Sequence, residues 1–288
     1  MIVEVFGPQT IPFEKRERSF YYSAPENIKQ SLPVVFCFHG AGSSARHHMK
    51  ITNFHKLSEE HQVITVFPEA IHFDPSDRMT KQWNEGREKN AAYQHKVNDV
   101  GFVLELIDWL KQRYPVDESR IYATGFSNGS AFSLRLGLEC QDVFAGVGGV
   151  SGPLVKDLAE NFQWNKPMPM VFIMGTDDKL VPYDGHYDSS YMIDQLLSAD
   201  ETVEFFAKSC GADVTKHQER VSEDEEFLIR KDAYLQKEEE KVEFYSIEGG
   251  GHTWPGGPLS QASSLTGKVV LQLDATKILF DHLIKFQR

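Results

Sequence analysis

Residues 125–129 form a GxSxG pattern with Ser127 at its centre. The preceding residues 121–124 predict a short strand, and the residues that follow predict a helix. A chain that turns this sharply from strand to helix needs glycine two residues before and two residues after the turn, and it leaves the central hydroxyl exposed. Ser127 is therefore the candidate nucleophile for acyl transfer. The serine within residues 149–152 lacks the second glycine at this spacing and indicates only a turn at a strand end.

A serine hydroxyl is a weak nucleophile until a neighbouring imidazole takes its proton. His252 is the candidate base, because five glycines and a proline shape the loop around it at residues 249–257. This loop directly follows a predicted strand at residues 242–247, where it could carry a side chain across the end of a sheet. We therefore predict that His252 is the base.

An acidic residue should orient that imidazole, and it should follow a strand that lies between the serine and the histidine in sequence. Asp177 and Asp178 both follow a predicted strand at residues 169–174. Either carboxylate could take this role, and the other would then be a turn or capping residue. Spacing alone leaves the choice between them open.

The oxyanion of a tetrahedral intermediate needs two backbone N–H donors. The N–H of Asn128, directly after the nucleophile, is one candidate. The HGxG pattern at residues 39–42 follows a predicted strand at 33–38 and offers the N–H of Ala41 as the second. Ala41 and Asn128 are therefore the predicted oxyanion hole.

Two other patterns could suggest a cofactor. Residues 40–44 are rich in glycine and serine, but no Gly-Lys-Ser/Thr follows, so they do not predict a nucleotide site. His47 and His48 are adjacent, and neighbouring side chains on a helix point about 100° apart. No carboxylate lies at ligand spacing, so we expect a surface pair and predict no metal and no cofactor.

Strands and helices alternate along the chain and would have to position these residues. Strands are predicted at residues 33–38, 63–67, 121–124, 145–150, 169–174 and 242–247, and helices at 52–62, from Asn98 to before Pro115, at 131–140 and after Asp274. This order predicts an α/β fold with a mainly parallel sheet and helices on both faces. No linker or repeat interrupts it, so we expect a single domain over residues 1–288.

Two further segments carry strand or surface patterns. Residues 1–6 and 18–23 alternate and predict edge strands. Residues 219–243 hold ten Asp and Glu against five Lys and Arg. This segment is predicted to be a solvated hairpin or surface loop rather than an acidic binding site.

Charge and composition exclude several classes of partner. The net charge of −12 argues against nucleic acid, and no apolar run approaches the roughly 20 residues that span a bilayer, so no membrane partner is expected. The three cysteines have no CxxC spacing and fit reduced thiols. Residues 1–25 show no secretory signal, so we expect a cytoplasmic protein, or a secreted one if a signal has been removed. The oligomeric state stays open.

Several segments together resemble the esterase and polyhydroxybutyrate depolymerase family of α/β hydrolases, which includes feruloyl and acetylxylan esterase-type enzymes. The similar segments are the HG strand end at 34–42, Trp-Asn at 83–84, the helix start at 98–103, the elbow at 120–129, GTxDxxVPY at 175–183 and GGGHTWPGG at 249–257. The resemblance implies the α/β-hydrolase fold, with Ser127 as nucleophile, His252 as base and Asp178 as acid.

The chain departs from this family in three respects. Residues 229–236 contain no cysteine that could pair with Cys210, which weakens the expectation of secretion. Met174 stands where the family often has histidine. The linker and binding module of polymer-degrading members are not found, so soluble esters are expected rather than polymer granules.

The predicted function is that of a serine carboxylic-ester hydrolase that acts through an acyl-enzyme on short-acyl or aryl esters, either small molecules or oligomers. The resemblance places Trp83 and Trp254 beside the serine, where their rings could bind substrate; alternatively, Trp254 only braces the histidine loop. The competing functions are a serine peptidase on the same fold and a non-catalytic hydrolase-fold binding protein.

Overall fold

The computed structural model describes residues 3–160, 162–185, 195–211, 215–223 and 226–288. Within them one sheet contains the strands β1 (Phe6–Phe13), β2 (Arg16–Ser23), β3 (Leu32–Phe38), β4 (Ile64–Pro68), β5 (Val116–Phe126), β6 (Gly146–Val150), β7 (Met170–Gly175), β8 (Thr215–Glu223), β9 (Leu228–Gln236) and β10 (Glu239–Glu248). The helices are α1 (Ala45–Thr52), α2 (Leu57–His61), α3 (Ala91–Gln94), α4 (Asp99–Lys111), α5 (Asn128–Glu139), α6 (Lys156–Glu160), α7 (Ala199–Ser209) and α8 (Ala275–Leu283).

The strand order is β1-β2-β4-β3-β5-β6-β7-β10-β9-β8. The six strands from β4 to β10 are parallel, while β1 and β2 at one end and β8 and β9 at the other are antiparallel to their neighbours. Because parallel strands point the same way, the loops that follow β3, β5, β7 and β10 meet at one edge of the sheet. This edge carries the predicted site residues.

Apolar side chains cover both faces of the central strands, as a parallel sheet between two layers of helices requires. Every residue of β3 is buried, and successive residues join different cores. Val34 and Phe36 pack in the core that contains residues of α4, α5 and α7, whereas Val35 packs with residues of α1 and α8. The predicted α/β-hydrolase architecture, a mainly parallel sheet with helices on both faces, is thus confirmed.

The two antiparallel ends of the sheet follow the sequence-based expectation only in part. The first edge strand covers Phe6–Phe13 instead of residues 1–6. The acidic residues 219–243, of which 224 and 225 lie outside the described ranges, belong mainly to β8, β9 and β10. β8 and β9 pair as antiparallel strands, as the predicted hairpin requires, but they continue the central sheet through β10 instead of forming a separate surface loop. Lys231 contacts Glu240 at 2.7 Å and Glu243 at 3.5 Å and so offsets part of the negative charge.

The helix predicted at residues 52–62 is interrupted. Helix α1 ends at Thr52 because Asn53 adopts a left-handed backbone, with φ 57°, and its N–H donates to Met49 O at 3.0 Å. A short 3-10 turn, Phe54–Lys56, then leads into α2. Asparagine tolerates this conformation better than most residues, which explains the break.

Two helix starts lie where their caps predict them. The side chain of Asn98 accepts a hydrogen bond from Gly101 N at 2.8 Å at the start of α4. The side chain of Asp274 accepts one from Lys277 N at 3.0 Å at the start of α8. Among the residues that the structure describes, no helix is long and apolar enough to cross a membrane.

Candidate active site

Ser127 lies at a sharp elbow between β5 and α5. Its backbone angles, φ 55° and ψ −123°, are outside the regions that non-glycine residues ordinarily occupy. The N–H of Ser127 donates to Val150 O on the neighbouring strand at 2.8 Å, which helps hold the elbow. The side chain stays partly exposed at the carboxyl edge of the sheet. The local sequence thus produces the turn that GxSxG predicts.

The two flanking glycines are needed because the elbow brings backbone segments into contact. A Cβ on Gly125 would lie 2.3 Å from Gly129 O. A Cβ on Gly129 would lie 2.3 Å from Phe38 O, at the end of β3. Both approaches are too close for any side chain, so the spacing of the motif follows from steric contact.

His252 and Asp178 meet through the loops that follow β10 and β7. His252 Nδ1 lies 2.6 Å from Asp178 Oδ2, and both side chains are buried. The His252 ring also packs against Phe126, the residue before Ser127, with 4.9 Å between ring centroids. Since a carboxylate can only accept, Nδ1–H is the donor, and in the neutral imidazole Nε2 is then an acceptor.

The adjacent acid, Asp177, is placed differently. Its side chain is exposed, and its Oδ1 accepts a hydrogen bond from the hydroxyl of Thr176 at 3.1 Å. Its backbone N–H donates to Gly250 O at 2.9 Å, which ties the acid loop to the histidine loop. Of the two carboxylates that spacing left open, Asp178 is therefore the one that contacts the imidazole.

The loop after β3 lies against the elbow. A Cβ on Gly40 would lie 3.2 Å from Ser127 Cβ, so the HGxG backbone passes directly beside the serine. The N–H of Asn128 is at the first position of α5, where helical N–H groups have no partner within the helix. The N–H of Ala41 belongs to the same loop as Gly40, and its role in an oxyanion hole stays a prediction.

The two tryptophans do not line a surface that substrate could reach. Trp83 and Trp254 are 0% and 1% exposed. The indole of Trp83 donates to His39 O at 3.0 Å, and that of Trp254 donates to Thr276 Oγ1 at 3.1 Å. The prediction that both bind substrate is therefore wrong, because each ring is enclosed by apolar packing. The alternative for Trp254, that it braces the histidine loop, fits its contact with α8.

A buried polar cluster directly after Trp83 escaped the sequence analysis. Glu85 is 1% exposed; Arg87 Nε donates to its Oε1 at 2.6 Å, and the Asn90 amide donates to the other oxygen. Burial raises the pKa of the Glu85 carboxyl, although Arg87 and the amide of Asn128 act in the opposite direction. The sequence offered no sign of it, since charged residues in a loop are usually solvated.

The adjacent histidines also differ from expectation. His47 is exposed, but His48 is fully buried and packs edge-on against Trp254, with 5.6 Å between ring centroids. The predicted surface pair is thus wrong for His48, because α1 turns this side chain toward the histidine loop. Among the described residues, no group of three His, Cys, Asp or Glu side chains is arranged to hold a metal ion.

Comparisons with known proteins define the class of this molecule. The acetyl xylan esterase from Aspergillus awamori superposes with a TM-score of 0.57 at 15% identity, covering 82% of this chain and 89% of that one. The CE1 ferulic acid esterase AmCE1/Fae1A from Anaeromyces mucronatus gives a TM-score of 0.55 at 16% identity, covering 88% and 85%. At this identity the likeness shows the fold, which is that of the α/β hydrolases.

Sequence relatives lead to the family. The putative esterase NocK of Nocardia uniformis subsp. tsuyamanensis is 28% identical over 273 residues, which are 89% of this chain and 75% of that protein. The bifunctional acetylxylan esterase/xylanase XynS20E of Neocallimastix patriciarum is 24% identical over 179 residues, 61% of this chain and 24% of that protein. Residues 24–223 match the phospholipase/carboxylesterase family, and the chain belongs to this family of ester hydrolases.

These relatives support the esterase part of the resemblance found in the sequence. The polyhydroxybutyrate part stays a prediction. The chain spans about a quarter of the length of XynS20E, so the activity of that whole protein does not transfer to it.

Proposed function

We propose that the chain is a serine carboxylic-ester hydrolase in which Ser127, His252 and Asp178 act as one catalytic unit. The observation that carries the proposal is the 2.6 Å contact between His252 Nδ1 and Asp178 Oδ2 beside the Ser127 elbow. This contact sets the tautomer in which Nε2 can accept the proton of the serine hydroxyl.

In the acylation step, Ser127 Oγ attacks the ester carbonyl carbon and His252 Nε2 takes its proton. The carboxylate of Asp178 stabilises the imidazolium that forms. The N–H groups of Ala41 and Asn128 are the proposed donors to the developing oxyanion. When the intermediate collapses, His252 returns the proton to the leaving alcohol and the acyl group stays on Ser127.

In the deacylation step, water replaces the alcohol. His252 Nε2 takes a proton from the water as its oxygen attacks the acyl-enzyme carbonyl, and the same two N–H groups receive the second oxyanion. Return of the proton to Ser127 Oγ releases the carboxylic acid. Every proton transfer uses one imidazole nitrogen, so one fixed orientation of His252 serves both halves of the reaction.

The substrate class is proposed from the relatives and from the surface beside the elbow. Relatives named acetylxylan esterase and feruloyl esterase suggest short-acyl or aryl esters. Met79 is 38% exposed, and its Sδ would lie 3.1 Å from a Cβ on Gly42 in the oxyanion loop. Phe126 beside the serine is half-buried. Met79 thus adds exposed apolar surface next to the oxyanion loop, and Phe126 adds apolar surface next to Ser127, which would suit a small acyl or aromatic group.

The test is fluorophosphonate labelling combined with a substrate panel. The wild type should be labelled at Ser127 and should hydrolyse p-nitrophenyl acetate and butyrate, with methyl ferulate and soluble hydroxybutyrate oligomers as further candidates. Ser127→Ala should lose labelling, and its kcat should fall by about 10⁴- to 10⁶-fold with the fold intact by circular dichroism.

Ser151→Ala is the matched control, because Ser151 also follows a buried strand and has φ 54° but is 1% exposed. It should keep labelling and activity. A folded wild type that hydrolyses none of these esters would refute the proposal. Faster cleavage of peptide p-nitroanilides than of esters would favour a peptidase instead.

A further inference from the structure

The side chain of Asn128 pairs with the backbone of Trp83 through two hydrogen bonds. Trp83 N donates to Asn128 Oδ1 at 2.8 Å, and Asn128 Nδ2 donates to Trp83 O at 3.1 Å. The amide group thus hydrogen-bonds to both the backbone N–H and the backbone C=O of Trp83, although the two residues are 45 positions apart in sequence. Two parallel contacts fix the orientation of the Asn128 side chain and not only its distance.

The side chain of Trp83 contacts the other half of the predicted oxyanion hole. Its indole N–H donates to His39 O at 3.0 Å, immediately before the Gly40–Ala41 peptide. The ring is fully buried, with centroid distances of 5.1 Å to Phe38 and 5.4 Å to Phe132. Trp83 is therefore hydrogen-bonded to both segments that carry the predicted oxyanion donors, the elbow at Asn128 and the loop after β3.

The segment that carries Trp83 is itself held in place. Asn84 N donates to Asp99 Oδ2 at 2.8 Å, and Arg18 donates to Asp99 Oδ1 at 2.7 Å, both with buried partners. The amide of Asn90 donates to Trp83 O at 2.9 Å. These contacts connect Trp83 to α4 and to β2, so the residue has little freedom to follow either of the segments it joins.

We propose that Trp83 and the side chain of Asn128 form a clamp that sets the relative position of the Ala41 and Asn128 N–H groups. The inference rests on the proposed function, since it assigns Trp83 and the Asn128 side chain as positioning groups for that reaction. In this proposal both side chains act through the backbone groups that they hold and not by contact with the reacting atoms. Donors that stabilise an oxyanion must already be in place when charge develops, and a displacement of about 1 Å can cost about 100-fold in rate.

The chain offers a direct test because the Asn128→Ala variant keeps the backbone N–H and removes the side-chain amide that pairs with Trp83 and also contacts Glu85. We expect kcat on p-nitrophenyl butyrate to fall by about 10- to 100-fold, with KM changed by less than about twofold. Trp83→Phe keeps an aromatic ring and removes the indole N–H, and it should lower kcat by about 3- to 10-fold.

One substitution serves as a matched control for Trp83→Phe. Trp164→Phe removes an indole that donates to Phe205 O at 3.1 Å. It deletes a comparable hydrogen bond outside the proposed clamp. It should leave kcat and KM within about twofold of the wild type, even if the melting temperature falls.

A transition-state mimic separates positioning from simple loss of structure. A trifluoromethyl ketone adds to Ser127 and forms a hemiketal oxyanion, so its inhibition constant should rise by the same factor by which kcat/KM falls in Asn128→Ala. In the double variant Asn128→Ala/Trp83→Phe, the fold-decrease in kcat should be smaller than the product of the two single fold-decreases, because both side chains act through the same clamp.

The clamp would be refuted if Asn128→Ala retained wild-type kcat, if only KM changed, or if ketone binding were unaffected while kcat fell. Failure of the proposed function would look different: the wild type itself would show neither ester hydrolysis nor labelling at Ser127.

Discussion

The carboxylate of Asp178 is shared between the imidazole of His252 and its own loop. Oδ2 contacts His252 Nδ1 at 2.6 Å, while Oδ1 accepts hydrogen bonds from Leu180 N and Val181 N, both at 2.9 Å. The backbone donors fix the direction in which Oδ2 points, and this direction fixes the ring of His252. The turn after β7 thus helps to orient the imidazole.

This arrangement predicts opposite outcomes at two adjacent acids. Asp178→Asn should lower kcat by about 10²- to 10⁴-fold, because an amide nitrogen facing Nδ1 disfavours the required tautomer. Asp177→Asn, at an exposed side chain, should change kcat by less than about threefold. Steady-state kinetics on a p-nitrophenyl ester measures both. If Asp177→Asn were the more damaging change, the assignment of the acid would be wrong.

The elbow predicts a steric effect on stability. Gly125→Ala should destabilise the fold by about 3 kcal/mol or more, because the new Cβ would lie 2.3 Å from Gly129 O and backbone must move. Gly211→Ala is the comparison: its φ is +93°, but nothing lies within 4 Å of the added Cβ. That change should cost only about 1–2 kcal/mol of conformational strain. Equal urea midpoints for the two variants would contradict the steric explanation.

Burial of His48 predicts a loss of stability in mild acid. Burial, with the nearby charges of His39 and His47, lowers the pKa of His48 well below its ordinary value of 6.5. As the pH falls below about 6.5, the unfolded chain binds a proton at this position and the native state does not, which costs up to about 1.4 kcal/mol per pH unit. Urea unfolding at pH 7.5, 6.5 and 5.5 measures the slope.

The His48→Leu variant should show a shallower slope between pH 6.5 and 5.5 than the wild type. It also removes two ring nitrogens that have no hydrogen-bond partner among the described residues. His47→Leu is the matched control, since His47 is exposed and adjacent, and it should keep the wild-type slope. If the free energy of unfolding fell equally with pH in His48→Leu and in the wild type, His48 would not be the cause of the loss of stability in acid.

The three cysteines predict a clear difference between the native and the denatured chain. Cys37, Cys140 and Cys210 are free and buried. Burial raises the pKa of the Cys140 thiol to about 11 and that of Cys37 well above its ordinary value, so little reactive thiolate forms at pH 8. Ellman's reagent should react slowly with native protein and should count three thiols after denaturation without reductant. A denatured count of one would reveal a disulfide.

The sequence by itself determined the features that depend on local backbone geometry and on strand order. The elbow at Ser127 is encoded by two glycines and the strand before them: the contact that excludes a side chain at Gly125 lies within the turn, although the one at Gly129 is made with Phe38 on the neighbouring strand β3. The alternation of apolar strands with amphipathic helices was enough for a mainly parallel sheet, and parallel strands bring the Ser127 and His252 loops to one edge.

The tertiary structure decided which side chains face the site. Spacing did not separate Asp177 from Asp178. The family resemblance implied Asp178, and the turn after β7 directs that carboxylate to a histidine 74 residues away. The sequence predicted a substrate-binding role for Trp83 and Trp254 and a surface position for His48, yet all three side chains are buried. Whether a side chain is buried depends on residues that are distant in sequence and pack against it. The pairing of Trp83 with Asn128 is one example. No local pattern encodes such contacts, because the partners come together only when the sheet and its loops assemble.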